Sequence, residues 1–324
     1  MALTPTVIPT DGAILERILD TLHAARPEGL GRAAFATFQA AQAKTTWGQR
    51  HQQWYALVDG DRVLASARRY DLAGVLDGQP ARVCGIGTPF AGPNGDEGHV
   101  HELLMHLIGE ADREGIDVAL LFAPTGLASA VPSGFQSISM LDLELGVSQS
   151  SRHGAPMTLV RGGEDRDLAA VVAMGHTRSD AFRFHLDRDI HFVKHVMTRK
   201  RLLAGLSAPG TRELQFVIAE EGITAAAYVV ISVAGHEWTL EECGDRDASG
   251  ARVGALLQAL IAREPVEQRP TIRGWLPAGF VPPQVSILAT RAARAVLMVR
   301  CLGRTARQRP LSAEHFLYWQ ADFL

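Results

Sequence analysis

Two stretches of this 324-residue chain combine glycine with polar side chains in a way that could hold an anion. The first is Gly85-Ile-Gly-Thr-Pro-Phe-Ala-Gly-Pro-Asn-Gly-Asp-Glu-Gly-His-Val100 and the second is Asp245-Arg-Asp-Ala-Ser-Gly-Ala-Arg-Val-Gly254. Glycine lets backbone N–H groups converge, and a helix that follows offers free N–H groups and the positive end of its dipole, so each stretch could cradle a pyrophosphate. A plain strand-to-helix connection has the same composition. Neither stretch has the Gly-Lys-Ser/Thr of a Walker loop, and an antiparallel run of strands precedes each, unlike a Rossmann turn. Around the first loop stand groups that move protons: Glu97, His99 and His101 as bases, with Tyr55 and Tyr70 as hydroxyl donors. The structural alternative for Glu97 is a charge at a helix N-terminus, and for the two histidines a solvent-facing helix position.

Other candidates are more ambiguous. Cys84, on the strand leading to the first loop, is either a nucleophile or a small buried hydrophobe. Glu241 and Glu242 are adjacent on one strand, so alternation turns one of them inward, as a base or as a paired buried carboxylate. His191 and His195 have i, i+4 spacing, but no acidic or cysteine ligand completes a metal set, and no metal is expected.

These residues need a scaffold. Apolar positions at Ile14, Leu15, Ile18, Leu19 and Leu22 predict a helix over 11–23, after a short strand at 6–8, and a second helix is expected over 32–43. Strands at 54–58, 62–72 and 80–88, turned at Asp59-Gly60 and Asp77-Gly78, form an antiparallel meander. The face Val100, Leu103, Leu104, Leu107, Ile108 predicts a helix ending near Gly115, and Asp117 to Phe122 reads as a strand covered on both faces. A short helix over 125–131, Gly134-Phe135 and a strand alternating through Ile138, Met140, Leu143 and Leu145 follow. The second half repeats this order: a strand at 157–160, helices over 167–176 and 190–204, a meander over 214–244, a helix over 254–263, a strand over 271–276, Gly279-Phe280 and a last pair of strands ending near 302. The expected domains are 1–148 and 157–302, with a tail, 303–324, that docks on the body.

Composition narrows the function. Apolar residues are 47% and charged residues 21%, a balance that builds folded cores rather than disorder. No apolar run approaches the roughly 20 residues of a membrane span, and 1–12 lacks the pattern of a signal peptide, so no membrane partner is expected. Three widely spaced cysteines suit a reducing cytoplasm. Residues 1–150 carry 10 basic against 17 acidic side chains, while 151–324 carry 22 against 18, which is no dense basic face for a nucleic acid. The acidic first half favours a cationic partner.

The order of helix, three antiparallel strands, glycine loop, helix, apolar strand, short helix, Gly-Phe and strand resembles the GNAT family of acyl-CoA-dependent N-acyltransferases, in tandem. The resemblance implies an α/β (α+β) fold of two GNAT-like domains, each a mixed, mostly antiparallel sheet flanked by helices. It covers nearly all of both halves. The family's loop reads Gln/Arg-x-x-Gly-x-Gly/Ala, which places Gly95, Gly98 and Val100 on its signature in the first half, and Ser249, Arg252 and Gly254 in the second. Both copies depart from it: Gly95 stands for Gln/Arg, Val100 for Gly/Ala, Arg252 for the central glycine, and Asp96 and Glu97 add negative charge. The family's acid is often a tyrosine four residues before the glycine of Gly-Phe, where this chain has Ala130. Trp238 to Gly244 and Gly274 to Phe280 are faintly similar to the C-terminal half of the fungal lysine acetyltransferase group.

The resemblance implies acetyl-CoA or another acyl-CoA as co-substrate, bound by Ile86, Gly87, Thr88, Gly95, Gly98, His99 and Val100. The backbone of 86–88 would polarise the thioester carbonyl, and Glu97, His99 or His101 would serve as base. The acceptor would be a small-molecule amine or a lysine-like group. The alternative is a catalytically silent acyl-CoA or small-molecule binding protein on the same scaffold.

Overall fold

The computed structural model of the chain describes residues 5–124, 130–138, 140–148, 159–293, 295–303 and 310–322. In chain order its elements are β1 (Thr6–Pro9), α1 (Gly12–Ala25), α2 (Arg32–Ala43), α3 (Gly48–His51), β2 (Gln52–Asp59), β3 (Arg62–Leu76), β4 (Gln79–Ala91), α4 (Glu97–Arg113), β5 (Val118–Pro124), β6 (Gln136–Ile138) and β7 (Leu141–Val147). The second half contributes β8 (Leu159–Gly162), α5 (Leu168–Ser179), β9 (Phe184–Leu186), α6 (Ile190–Leu206), β10 (Glu213–Glu221), β11 (Thr224–Ala234), β12 (Glu237–Asp245), α7 (Ala251–Ile261), β13 (Thr271–Gly274), β14 (Val285–Ala292), β15 (Ala295–Cys301) and β16 (Phe316–Leu317). The helices and meanders predicted over described residues are present. The turn glycines Gly60, Gly78 and Gly115 have φ of +58°, +76° and +73°, the left-handed values that the sequence assigned to Asp-Gly turns and a helix end. The helix expected over 125–131 falls largely outside the described residues.

The chain forms two compact units, residues 1–140 with 293–313 and 324, and residues 141–292 with 314–323. The first contains the sheet β1-β2-β3-β4-β5-β15-β6, in which β1 to β4 are antiparallel and β4 runs parallel to β5. Its α4 buries Val100, Leu103, Leu104, Leu107 and Ile108 against Leu57, Leu64, Ala65, Cys84, Ile86 and Leu121 of the strands. Each such leucine taken out of water contributes roughly 2 kcal/mol. The second unit holds the sheet β14-β7-β13-β12-β11-β10-β8, with β12 parallel to β13. There α5 and α6 pack Leu168, Val171, Met174, Val193 and Met197 on Phe216, Ile218 and Tyr228. The strand β16 of the tail pairs in parallel with β9 inside this unit.

One feature departs from the expected halves. The strand predicted through Ile138 to Leu145 is two strands: β6 pairs with β15 in the first sheet, whereas β7 pairs with β13 and β14 in the second. Likewise the predicted last pair of strands separates, β14 to the second sheet and β15 to the first, between β5 and β6. Each half of the chain thus supplies one strand to the other half's sheet. The reason is the gap that each Gly-Phe turn leaves in its sheet, which an antiparallel apolar strand fills: Leu297 and Val299 are buried in the first, Leu143 and Leu145 in the second.

Candidate functional site

In the first unit, β4 and β5 are paired only from Val83 to Ile86 against Val118 to Leu121. Past Ile86 both strands continue without pairing, so a wedge opens between them. Its β4 wall is bent by a bulge: the partners on β3 step from Arg68↔Gly87 to Ser66↔Phe90, and Thr88 takes φ +51°. The predicted Ile86, Gly87 and Thr88 therefore stand at the mouth of the wedge, with the Ile86 side chain fully buried under α4. Among the described residues, the backbone groups of β4 that face away from β3 here have no ladder partner, which is the geometry that lets a strand edge bind a ligand.

The loop to α4 is held by glycine for packing. A Cβ on Gly95 would come within 1.7 Å of Leu64 O, and one on Gly92 within 2.2 Å of Val63 O, so both lie directly on the backbone of β3. Gly98 is open by comparison, its nearest neighbour being Asp96 Oδ1 at 3.2 Å. Val100 is fully buried. The helix N-terminus carries its own anion. The Asp96 carboxylate accepts the backbone N–H of His99 at 3.1 Å and lies 2.7 Å from His99 Nδ1. Those hydrogen bonds, led by the His99 N–H and joined by that of Gly98, hold the Asp96 carboxyl below the usual carboxylate range. His99 is thereby tied into the cap.

The other proton-moving candidates separate. Glu97 is exposed on the first turn of α4. His101 is exposed as well, and its Nδ1 is 3.2 Å from Ala130 O, the backbone at the position where the family carries its tyrosine. A carbonyl oxygen only accepts, so Nδ1 donates in this contact, and in a neutral ring Nε2 then keeps the lone pair. Cys84 has no exposure, and burial pushes its thiol up to about 12, which makes it the small hydrophobe. Tyr70 is buried, with its hydroxyl accepting from Arg68 Nη1 at 3.2 Å. Tyr55 is half-buried, and burial raises its hydroxyl pKa.

The second unit repeats the wedge and fills its loop more fully. β12 and β13 are paired from Glu237 to Leu240, and a bulge at Glu241 shifts the register on β11. The bulge breaks the alternation expected of Glu241 and Glu242, and both are buried, 3% and 2% exposed. Each has a cation: Lys200 Nζ lies 2.8 Å from Glu241, and Arg188 grips Glu242 through two hydrogen bonds of 2.8 and 2.6 Å. Arg188 also lies 3.2 Å from the buried Asp322, and it borders a pocket with His176, His185 and Trp319. At the loop, the fully buried Asp245 carboxylate accepts the N–H of Asp247 and of Arg252 and the Arg252 guanidinium. Arg252 also pairs with Glu221 at 2.6 Å. His191 is exposed and His195 buried, and among the described residues no three metal-ligating side chains gather. No described helix is long and apolar enough to cross a membrane.

No family model matches the sequence, and no curated protein is similar to it at a significant level. Solved structures do match. A probable N-acyltransferase from Enterococcus faecalis V583 aligns with a TM-score of 0.66 at 11% identity, over 92% of this chain and 72% of that one. A GCN5-related N-acetyltransferase from Kribbella flavida gives 0.62 at 17% identity, over 92% and 71%. Saccharomyces cerevisiae N-myristoyltransferase, solved with myristoyl-CoA bound, gives 0.53 at 9%, over 92% and 79%.

The fold is that of the GCN5-related N-acetyltransferases, present twice. In GNAT terms the two wedges, the bulges and the two Gly-Phe turns correspond between the units. Gly134 and Gly279 have φ of +90° and +74°, and each precedes a phenylalanine packed in its own unit. Tested against an acyl-CoA, the first wedge fits an extended thioester arm lying on bare strand edge. The α4 terminus fits less well, because Asp96 already takes two of the N–H groups that a pyrophosphate would need.

Proposed function

We propose that the protein is an acyl-CoA-dependent N-acyltransferase whose first unit binds the acyl donor. The observation that carries this reading is the wedge beyond Ile86, with its bulge at Thr88 and α4 directly behind it. The backbone of Gly87 and Thr88 would donate to the thioester oxygen as negative charge develops there. Gly98 and Val100 would lie against the pyrophosphate end, with Gly95 and Gly92 shaping the loop. His101 is the base we favour over Glu97: its Nε2 would take the amine proton, the amine nitrogen would bond to the acyl carbon, and the C–S bond would break with its electron pair on sulfur, the thiolate then taking a proton from the His101 imidazolium or from water to leave as the thiol. His99 serves the helix cap. The acceptor is a small-molecule amine or a lysine-like group, the acyl group acetyl or longer, and the place of action the cytoplasm, in keeping with the free thiols of Cys84 and Cys243. Isothermal titration with coenzyme A, acetyl-CoA and longer acyl-CoAs tests the reading. Heat with at least one is expected, and none with any would overturn it.

A second reading is favoured by Asp96 and Asp245, which place an internal carboxylate at the helix terminus of each unit. On this reading the scaffold binds an acyl-CoA or another small molecule and transfers nothing. Release of free thiol in the presence of any amine of a broad panel excludes it.

A further inference from the structure

Among the described residues of the first unit, three buried side-chain polar atoms have no hydrogen-bond partner: Gln52 Oε1, Ser66 Oγ and Arg68 Nε. Buried polar atoms are almost always paired, with protein or with something bound. The strand register puts all three on one face. Gln52 lies opposite Tyr70, Trp54 opposite Arg68 and Ala56 opposite Ser66, and residues paired across an antiparallel ladder project to the same side. On β4 the residue opposite Arg68 is Gly87, which adds no side chain to that face and adjoins the bulge at Thr88. Arg68 and Ser66 therefore flank the bulge at the mouth of the wedge, with Gln52 farther along the same face.

Arg68 is the notable member. It is 4% exposed, and its guanidinium stacks on Trp54 at 4.4 Å, with Nη1 donating to Tyr70 Oη and Nη2 to Gln39. All these partners are neutral, and among the described residues no carboxylate lies in ion-pair range. The neighbouring Arg69 shows the usual arrangement, pairing with Glu114 and Asp71. A buried cation without a counter-ion is costly, and a guanidinium with a free Nε–H edge is shaped for a planar, two-oxygen anion. Ser66, one pleat along the same face, adds a hydroxyl donor.

We propose that Arg68, with Ser66, binds the carboxylate of the acceptor, so that the molecule acylated is an amine that also carries a carboxylate, of amino-acid type. The word acceptor rests on the acyl-transfer reading above, while the binding of a carboxylate does not. The test uses the full chain without any acyl-CoA. Glycine, β-alanine and γ-aminobutyrate are titrated beside methylamine, ethylamine and propylamine, with the Arg68 Nε–H resonance and the melting temperature as readouts. The carboxylate compounds are expected to move the resonance and raise the melting temperature, the matched amines to do neither, and Arg68→Gln to weaken binding at least tenfold, the loss of about one charge-assisted hydrogen bond. Should Arg68→Gln fail to fold, Ser66→Ala must weaken binding several-fold at unchanged melting temperature. Equal binding of the matched amines, preference for inorganic phosphate, no binding of any carboxylate, or unaltered affinity in the folded variant would each overturn the proposal. Failure of acyl-CoA to bind would sink the transferase reading and leave this site standing.

Discussion

Arg252 meets the Asp245 carboxylate twice, through its backbone N–H at 2.8 Å and through Nη1 at 2.9 Å. Since the same guanidinium also holds Glu221, it neutralises two carboxylates at once. In the family's loop pattern position 252 is that of the central glycine, where a side chain obstructs a pyrophosphate, so Arg252→Glu is expected to leave coenzyme A binding at the first loop largely intact. In the structure Arg252→Glu sets a third carboxylate beside the other two. It is expected to cost about 3 kcal/mol, the scale of a broken buried pair, and an unchanged urea midpoint would contradict this.

At the first loop the internal anion competes with any phosphate. Asp96→Asn keeps an N-cap acceptor and removes the charge, so coenzyme A should bind up to about fivefold tighter, the value of one charge at a helix N-terminus. Gly98→Glu adds bulk and like charge at the open position and should abolish binding. Calorimetry on both variants reads the difference, and weaker binding by Asp96→Asn would place the pyrophosphate elsewhere.

His99 and His101 should respond differently although they are two residues apart. His101→Ala is expected to lower kcat by about 100-fold or more, as loss of a general base does. His99→Ala removes half of the capping box and should cost about 1 kcal/mol of stability with kcat retained. Loss of turnover from the His99 variant alone would reverse these roles.

Transfer should not pass through a thioester on the enzyme. With its thiol raised to about 12, Cys84 is neutral at pH 8, so iodoacetamide should leave it unmodified in the folded protein. Cys84→Ala should retain acyl transfer; an acylated Cys84 in intact-mass spectra would show otherwise.

In the second unit Arg188 faces two buried carboxylates, Glu242 and Asp322. Burial, which outweighs the attraction of Arg188, raises the Asp322 carboxyl from its ordinary 3.8 to about 6. The folded state then holds a proton that the unfolded state releases, so stability from this group is full below about pH 4 and is lost as the pH rises through about 6. Asp322→Asn should flatten that slope. Denaturation of both proteins at pH 4.5 and pH 7.5 checks it, and equal slopes would count against the assignment.

Local pattern determined much of this protein from its residues alone. The period of Val100, Leu103, Leu104 and Leu107, the Asp-Gly turns and the two glycine loops are short-range signals, and they sufficed for the helices, the meanders and the repeated order that resembles the GNAT family. The destinations of β7 and β15 were not legible, because an alternating strand such as Leu141 to Val147 carries the same pattern whichever sheet it completes. Nor was the pairing of Glu241 and Glu242, since a single-residue bulge overrides the alternation that sequence spacing assumes. Gly95 illustrates the same limit: its type is plain in the sequence, but that it lies on Leu64 rather than against a ligand depends on a strand about 30 residues earlier. Arg68 reads as one more charged residue on a strand. Only the assembled fold, which brings Trp54 and Gly87 of the sheet and Gln39 of α2 around it and, among the described residues, no carboxylate in ion-pair range, makes it a cation in need of an anion.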